Sequence, residues 1–168
     1  TYAHNTILDN DQPEWEYAYQ NRIGQSNWQT FGLVADGLFQ SQEEIDAWPT
    51  QKFGEVKPGD IRYIDINGDG VVDDYDKKPI GFPDVPEISY GFGASVRWKG
   101  FDVSIFFQGI DNVNFFINNS YTQPFIANKT RHSNVFADLY GNYWTEDNRD
   151  AKYPRLTIGS NTNNNQAS

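Results

Sequence analysis

The stretch Ile88-Ser-Tyr-Gly-Phe-Gly-Ala-Ser-Val-Arg-Trp-Lys-Gly-Phe-Asp-Val-Ser-Ile-Phe-Phe-Gln108 decides how this chain folds. Within it Ile88, Tyr90, Phe92, Ala94, Val96 and Trp98 alternate with Ser89, Gly91, Gly93, Ser95 and Arg97. After Lys99-Gly100 the alternation resumes as Phe101, Val103, Ile105 and Phe107 against Asp102, Ser104, Phe106 and Gln108. A period of two places each set on one face of a strand. Two such runs around a two-residue X-Gly turn predict a β-hairpin over 88–108. With Lys99-Gly100 at the tip, Trp98 faces Phe101, Val96 faces Val103 and Ala94 faces Ile105. On the other face Arg97 meets Asp102 and Ser95 meets Ser104, a charge pair and a hydroxyl pair. One face is apolar and aromatic, the other small and polar. A slip of one residue would destroy both sets.

Working outward, Pro79, Pro83 and Pro86 make 79–87 a stiff, extended connector. Upstream, Lys57-Pro58-Gly59-Asp60 reads as a turn and Ile61-Arg62-Tyr63-Ile64 as a short strand. Ser41-Gln-Glu-Glu44 is a capping box, in which Ser41 takes the N3 amide and Glu44 reaches back to the cap amide. It predicts a short helix over 42–48 that stops before Pro49. Gln25–Ala35 reads as a strand, and Trp15, Tyr17 and Tyr19, spaced by two, predict another. Past the hairpin, Asn134–Tyr143 reads as a short helix and the Asn-rich tail from Ser160 as disordered. The fold class is therefore mainly β, with antiparallel strands, long loops and short helices.

Between the Ile61–Ile64 strand and the Pro-rich connector lies Asp65-Ile-Asn-Gly-Asp-Gly-Val-Val-Asp-Asp-Tyr-Asp76. It matches a twelve-residue calcium loop at each critical position. Asp65, Asn67 and Asp69 supply oxygens at positions one, three and five. Gly70 permits the sharp turn at position six, and Val71 offers its carbonyl at position seven. Asp73 serves position nine and Asp76 closes the loop at position twelve. Calcium is a hard cation that takes six to eight oxygens, and one tight loop supplies most of them. Asp76 is shorter than the usual Glu, which weakens bidentate closure and opens the site to magnesium. A solvated turn is the blander reading, and the full positional match weighs against it. Pro79 and the preceding strand rule out paired helices, so the loop reads as a structural staple rather than a sensor.

The 168 residues carry 13 basic and 23 acidic side chains, a net charge of −10. That balance excludes nucleic-acid binding, which needs a basic stripe, and suits divalent cations and neutral ligands. Cysteine is absent, so disulfides and thiol chemistry are absent too. Aromatic residues make up 16% of the chain, an unusual share beside only 38% hydrophobic residues. His4 and His132 are the only histidines, and neither stands in a metal or nucleophile spacing. The chain is not expected to be an enzyme, and no catalytic residue is assigned. Tyr140, Tyr143 and Trp144 lie in a polar stretch and are candidates for stacking on sugar rings, with core packing as the alternative. No apolar run approaches the roughly 20 residues of a membrane helix, which leaves β-barrel strands open. Without an initiator Met or a signal sequence at Thr1, the chain reads as a fragment.

Several segments occur together in one order: Ala35-Asp-Gly-Leu-Phe-Gln-Ser-Gln-Glu-Glu-Ile45, Lys57-Pro-Gly-Asp-Ile-Arg-Tyr63, the Asp65–Asp76 loop, Pro79-Ile-Gly81, Trp98-Lys-Gly-Phe-Asp-Val-Ser-Ile-Phe-Phe-Gln108 and Lys152-Tyr-Pro-Arg-Leu156. The set resembles the late barrel and extracellular-loop region of SusC/RagA-type TonB-dependent outer-membrane transporters, over nearly the whole of residues 1–168. The resemblance implies strands of a transmembrane β-barrel of about 22 strands with long extracellular loops. It implies import of glycans or peptides, a SusD-like surface lipoprotein as lid, the TonB complex as energy source, and the outer membrane as location. The hairpin would then meet lipid with its apolar face, and the calcium loop would clip an extracellular loop into shape. The competing reading is a self-contained extracellular β module that binds calcium and carbohydrate. A glycan hydrolase domain ranks below both.

Overall fold

A computed structural model describes residues 1–115 and 137–157. The described chain is mainly β, with strands β1 (Phe31–Gly32), β2 (Ala35–Leu38), β3 (Thr50–Gln51), β4 (Ile61–Tyr63), β5 (Val71–Val72), β6 (Lys78–Pro79), β7 (Ile88–Trp98) and β8 (Phe101–Asp111). One α-helix, α1 (Gln42–Asp46), interrupts them. The chain divides into two compact units. Among the described residues, one comprises 1–16, 21–30 and 79–115, the other 17–20, 31–78 and 137–157.

The first unit is built on the β7–β8 hairpin. Every pair expected from the sequence is present: Trp98 with Phe101, Arg97 with Asp102, Val96 with Val103, Ser95 with Ser104 and Ala94 with Ile105. Pairing runs on to Ile88 with Asp111, so each strand holds 11 residues. Lys99 and Gly100 have φ of 46° and 86°. Two successive left-handed residues make the tight turn whose twist matches a hairpin, and the second position suits glycine. Arg97 Nε donates to both Asp102 oxygens at 2.8 and 3.0 Å, and the Ser95 and Ser104 hydroxyls meet at 3.0 Å. On the polar face Phe106 stands over Gly91 and Gly93, which leave it room. The free side of β7 carries the chain's first residues. Tyr2 bridges Ile88, Ala3 N donates to Glu87 O at 2.8 Å, and Ser89 N donates to Thr1 O at 2.9 Å.

The second unit holds the buried core of Leu33, Tyr63 and Val72, with Phe53 and Ile61 packed against it. A fully buried side chain of this kind contributes about 1.5–3 kcal/mol. β2 and β4 pair antiparallel, with an irregularity between Ala35 and Leu38. β3 and β5 pair in parallel, Thr50 with Val71 and Gln51 with Val72. Gln51 then does the work of a further strand. Its Oε1 accepts from Tyr63 N at 2.7 Å and its Nε2 donates to Ile61 O at 3.1 Å, so one buried carboxamide satisfies the edge of β4.

Four expectations need correction. The Trp15–Tyr19 alternation is not a strand: Ala18–Gln20 is a 3-10 turn, and Tyr17 and Tyr19 stack at 5.4 Å. Gln25–Ala35 yields only the two-residue β1 before β2 begins. The capping box is half made. Ser41 Oγ accepts from Glu44 N at 3.3 Å, but Glu44 reaches one residue further back, to Gln40 N at 2.6 Å, and the helix ends at Asp46. Residues 137–142 form turns, closed by Tyr140 N to Ala137 O and Asn142 N to Leu139 O. The remainder of that expected helix and the tail from Ser160 lie outside the described residues.

Candidate functional site

The Asp65–Asp76 loop leaves β4 and enters β5. Gly68 and Gly70 have φ of 76° and 86°, left-handed values that the two Asx-Gly turns require. Four of its five acidic side chains fold back on the loop's own amides, while Asp74 is exposed and pairs with Lys77 Nζ at 2.8 Å. Asp65 Oδ1 accepts from Gly68 N at 2.6 Å and its Oδ2 from Gly70 N at 2.8 Å. Asn67 Oδ1 accepts from Asp69 N at 3.0 Å, Asp69 Oδ1 accepts from Val71 N at 2.8 Å, and Asn67 Nδ2 donates to Asp69 Oδ2 at 3.1 Å. The carbonyls of Gly70 and Val72 accept from Thr50 and Lys52 of the neighbouring strand. Strand alternation therefore aims the Val71 carbonyl the other way.

The last two expected ligands have other partners. Asp76 is fully buried, and its oxygens accept from Ile66 N at 2.7 Å, Asn67 N at 3.2 Å and Asp73 N at 2.9 Å. It braces both ends of the loop from inside. Asp73 accepts from Tyr75 N at 2.9 Å and pairs with Lys52 Nζ at 3.0 Å. The Tyr75 amide, and after it the Lys52 ammonium, hold the Asp73 carboxyl below the ordinary range. Tyr19 lies beside the loop, donating its hydroxyl to Tyr75 O at 2.8 Å. Burial, followed by the charge of Asp76, pushes its hydroxyl up to about 12.

A fit test for calcium gives a partial donor set. Asp65, Asn67 and Asp69 are each at least partly exposed, and each hydrogen-bonded oxygen keeps a second lone pair. Among the described residues, no three histidine, cysteine or acidic side chains converge closely enough to hold a metal ion. The physical reason is the amide network, which spreads the carboxylates along the loop.

The three aromatic candidates differ in exposure. Trp144 is 8% exposed, and its indole N–H donates to Gln40 Oε1 at 3.1 Å. Its ring lies so close over Gly59 that any side chain there would fall within it. Tyr143 is half-buried and bridges Tyr153, while Tyr140 is 84% exposed. Packing, the alternative reading, describes Trp144 in this structure.

No protein-family model matches the chain. Two curated proteins of Formosa agariphila are similar to it. TonB-dependent receptor P26 is 32% identical over 127 residues, covering 74% of this chain, and TonB-dependent receptor P3 is 30% identical over 137 residues, covering 82%. This chain belongs with the TonB-dependent receptors. It spans 12% and 13% of the length of those two relatives, so it corresponds to a segment of such a receptor.

In this TonB-dependent receptor segment, sequence reasoning missed the contacts that cross the chain. Asp60 is fully buried, and Arg155 Nε pairs with its Oδ1 at 2.6 Å while Arg155 Nη2 donates to Oδ2 at 3.1 Å. Arg155 N also donates to Gly59 O at 2.8 Å. Arg62 pairs with Glu44 at 2.8 Å and Asp36 at 3.0 Å, its guanidinium 4.6 Å above the Trp48 ring. Asp60 and Arg155 both stood in motifs that carried the family resemblance. Nothing in their spacing of 95 residues said that they meet.

Proposed function

We propose that this segment supplies two membrane-spanning strands and external loops to an outer-membrane importer. The carrying observation is the apolar face of the hairpin. Tyr90, Phe92, Val96, Trp98, Phe101, Val103, Ile105 and Phe107 all lie on that face, and each is more than half exposed. Water would penalise such a surface, whereas lipid would not. Eleven residues extend about 36 Å, or about 26 Å of height at a 45° tilt, close to the apolar band of an outer-membrane barrel. A two-residue turn suits the periplasmic rim, where barrel turns are short, so the opposite ends of β7 and β8 would face outside. The length of the relatives favours a receptor segment over a self-contained module.

In this reading the protein is a transporter rather than an enzyme, and energy comes from the TonB complex. The SusC-like assignment, a SusD-like lipoprotein lid and a glycan or peptide cargo rest on the ordered motifs alone. Ala94 and Ser95 sit near the middle of β7 on opposite faces, which makes them the test. In the full-length receptor Ala94→Arg is expected to cost about 2–4 kcal/mol of barrel stability and to deplete the folded band in outer membranes, while Ser95→Arg is tolerated. Equal behaviour of the two variants would sink the membrane assignment.

The same reading gives the Asp65–Asp76 loop a structural calcium ion, taken by Asp65, Asn67, Asp69 and the Val71 carbonyl, with Asp76 as brace rather than ligand. The bound ion would neutralise the lip and hold the loop's shape. With few carboxylates free, the expected affinity is that of extracellular modules, about 10⁻⁴–10⁻³ M. Calorimetric titration should show saturable calcium binding that Asp69→Ala abolishes. A flat titration of the unaltered protein at several millimolar calcium removes the ion from the account.

A further inference from the structure

The run Asn67-Gly68-Asp69-Gly70 sets two Asx-Gly pairs in tandem, and Asn67-Gly68 is the one Asn-Gly pair in the sequence. At such a pair the chain can react with itself. The side-chain carbon Cγ lies within reach of the next backbone nitrogen, and glycine puts no side chain in the way. Water has access here, since Gly68, Asp69 and Gly70 are exposed and Asn67 is half-buried. Yet both nitrogens that could attack are taken, and by one residue. Asp65 Oδ1 accepts from Gly68 N at 2.6 Å, and its Oδ2 accepts from Gly70 N at 2.8 Å. The carbon open to attack is restrained as well. Asn67 Oδ1 accepts from Asp69 N at 3.0 Å, and Asn67 Nδ2, the group that would leave, donates to Asp69 Oδ2 at 3.1 Å. Both ends of the carboxamide are thus pinned to the residue two places on.

We infer that Asn67 is a site of spontaneous deamidation and that Asp65 restrains it. In the reaction the Gly68 nitrogen gives its proton to solvent and bonds to Asn67 Cγ. The bond from Cγ to Nδ2 breaks, and that nitrogen takes a proton from water and leaves as ammonia. Water then opens the five-membered imide at either carbonyl, which yields aspartate or isoaspartate. The net change is water in and ammonia out, with no oxidant or reductant. Asp65 opposes the first step twice over. Its oxygen holds the Gly68 hydrogen, and its charge opposes the negative charge that builds on the nitrogen as that hydrogen leaves. Through its other oxygen the same carboxylate restrains the matching attack of Gly70 N on Asp69, which expels water instead of ammonia. Either product of Asn67 sets a carboxylate against Asp69 in place of a donor, so like charges meet. Isoaspartate also lengthens the backbone by one carbon between β4 and β5. The inference uses hydrogen bonds made without any ion, and it depends on neither the calcium reading nor the membrane assignment.

The test is timed incubation of the full-length receptor in detergent with a calcium chelator, followed by peptide mass spectrometry that separates Asn67 from its aspartate and isoaspartate products. A free peptide of residues 63–72 gives the unrestrained rate. The receptor should deamidate at Asn67 more slowly than the peptide by about tenfold or more, and Asp65→Ala should raise the receptor's rate by about tenfold or more. Asp65→Asn keeps one acceptor oxygen and should raise it less, which carries the test if Asp65→Ala does not fold. Asp76→Asn separates shielding from mere loosening. It weakens the loop's buried brace and leaves both glycine amides on Asp65, so it should accelerate the reaction less than Asp65→Ala does. The proposal is overturned if the receptor reacts as fast as the peptide, if the Asp65 variants react no faster than the unaltered receptor, or if Asp76→Asn accelerates the reaction as much as they do.

Discussion

Asp76 shows how far a single residue can be read from a pattern. Its loop position marked it as a ligand, and the structure places it inside, accepting three backbone amides. Spacing alone cannot separate the two roles, since a brace and a ligand both need a short carboxylate at that point. Their energetics differ. Asp76→Asn turns an amide N–H₂ toward amide donors in a buried site and should cost about 2–3 kcal/mol in urea unfolding. Asp69→Asn, at the exposed lip, should cost about 0.5 kcal/mol by the same measurement. Equal costs would remove the distinction. The signal that could have been used was Asp73: with Asp76 three residues on, it makes a second capping box, now seen around the 3-10 turn Asp74–Asp76.

At the scale of elements, β7 and β8 were legible to the level of individual pairs, because a period of two and an X-Gly turn leave one register that satisfies both faces. The strands β1, β3, β5 and β6 have two residues each, too short for any periodicity to exist. They form because the backbone around the Leu33–Tyr63–Val72 core needs partners, which is a tertiary demand. The Trp15–Tyr19 spacing misled for a related reason, since alternate aromatics also stack when the backbone coils into a 3-10 turn. The hairpin turn carries its own prediction. Gly100→Ala should destabilise the hairpin by about 1 kcal/mol, because φ of 86° disfavours a Cβ. Lys99→Asn, which suits a left-handed residue better, should stabilise it by about 0.5 kcal/mol. Thermal unfolding of the two variants in the full-length receptor checks the sign of each.

Across the whole molecule, the second unit is closed by contacts between residues far apart in the chain. Arg155 meets Asp60, and Trp144 covers Gly59 while bonding to Gln40. Arg155→Met should cost about 3 kcal/mol in urea unfolding, because a fully buried carboxylate loses its guanidinium. Joint replacement of Asp60 and Arg155 by apolar residues should cost less than the single change. A smaller effect from Arg155→Met than from the joint replacement would mean that Asp60 is held by other bonds, among them the one it accepts from Lys57 N at 2.9 Å. At the other end, the pairing of Thr1–Ala3 with Glu87–Ser89 brings two points of the chain, more than eighty residues apart, to within one strand spacing of about 5 Å. Everything between those points leaves the hairpin's strand and returns to the same place. The two ends of that excursion are held together, so a change of length within it closes over the same short gap and leaves the β7–β8 register untouched.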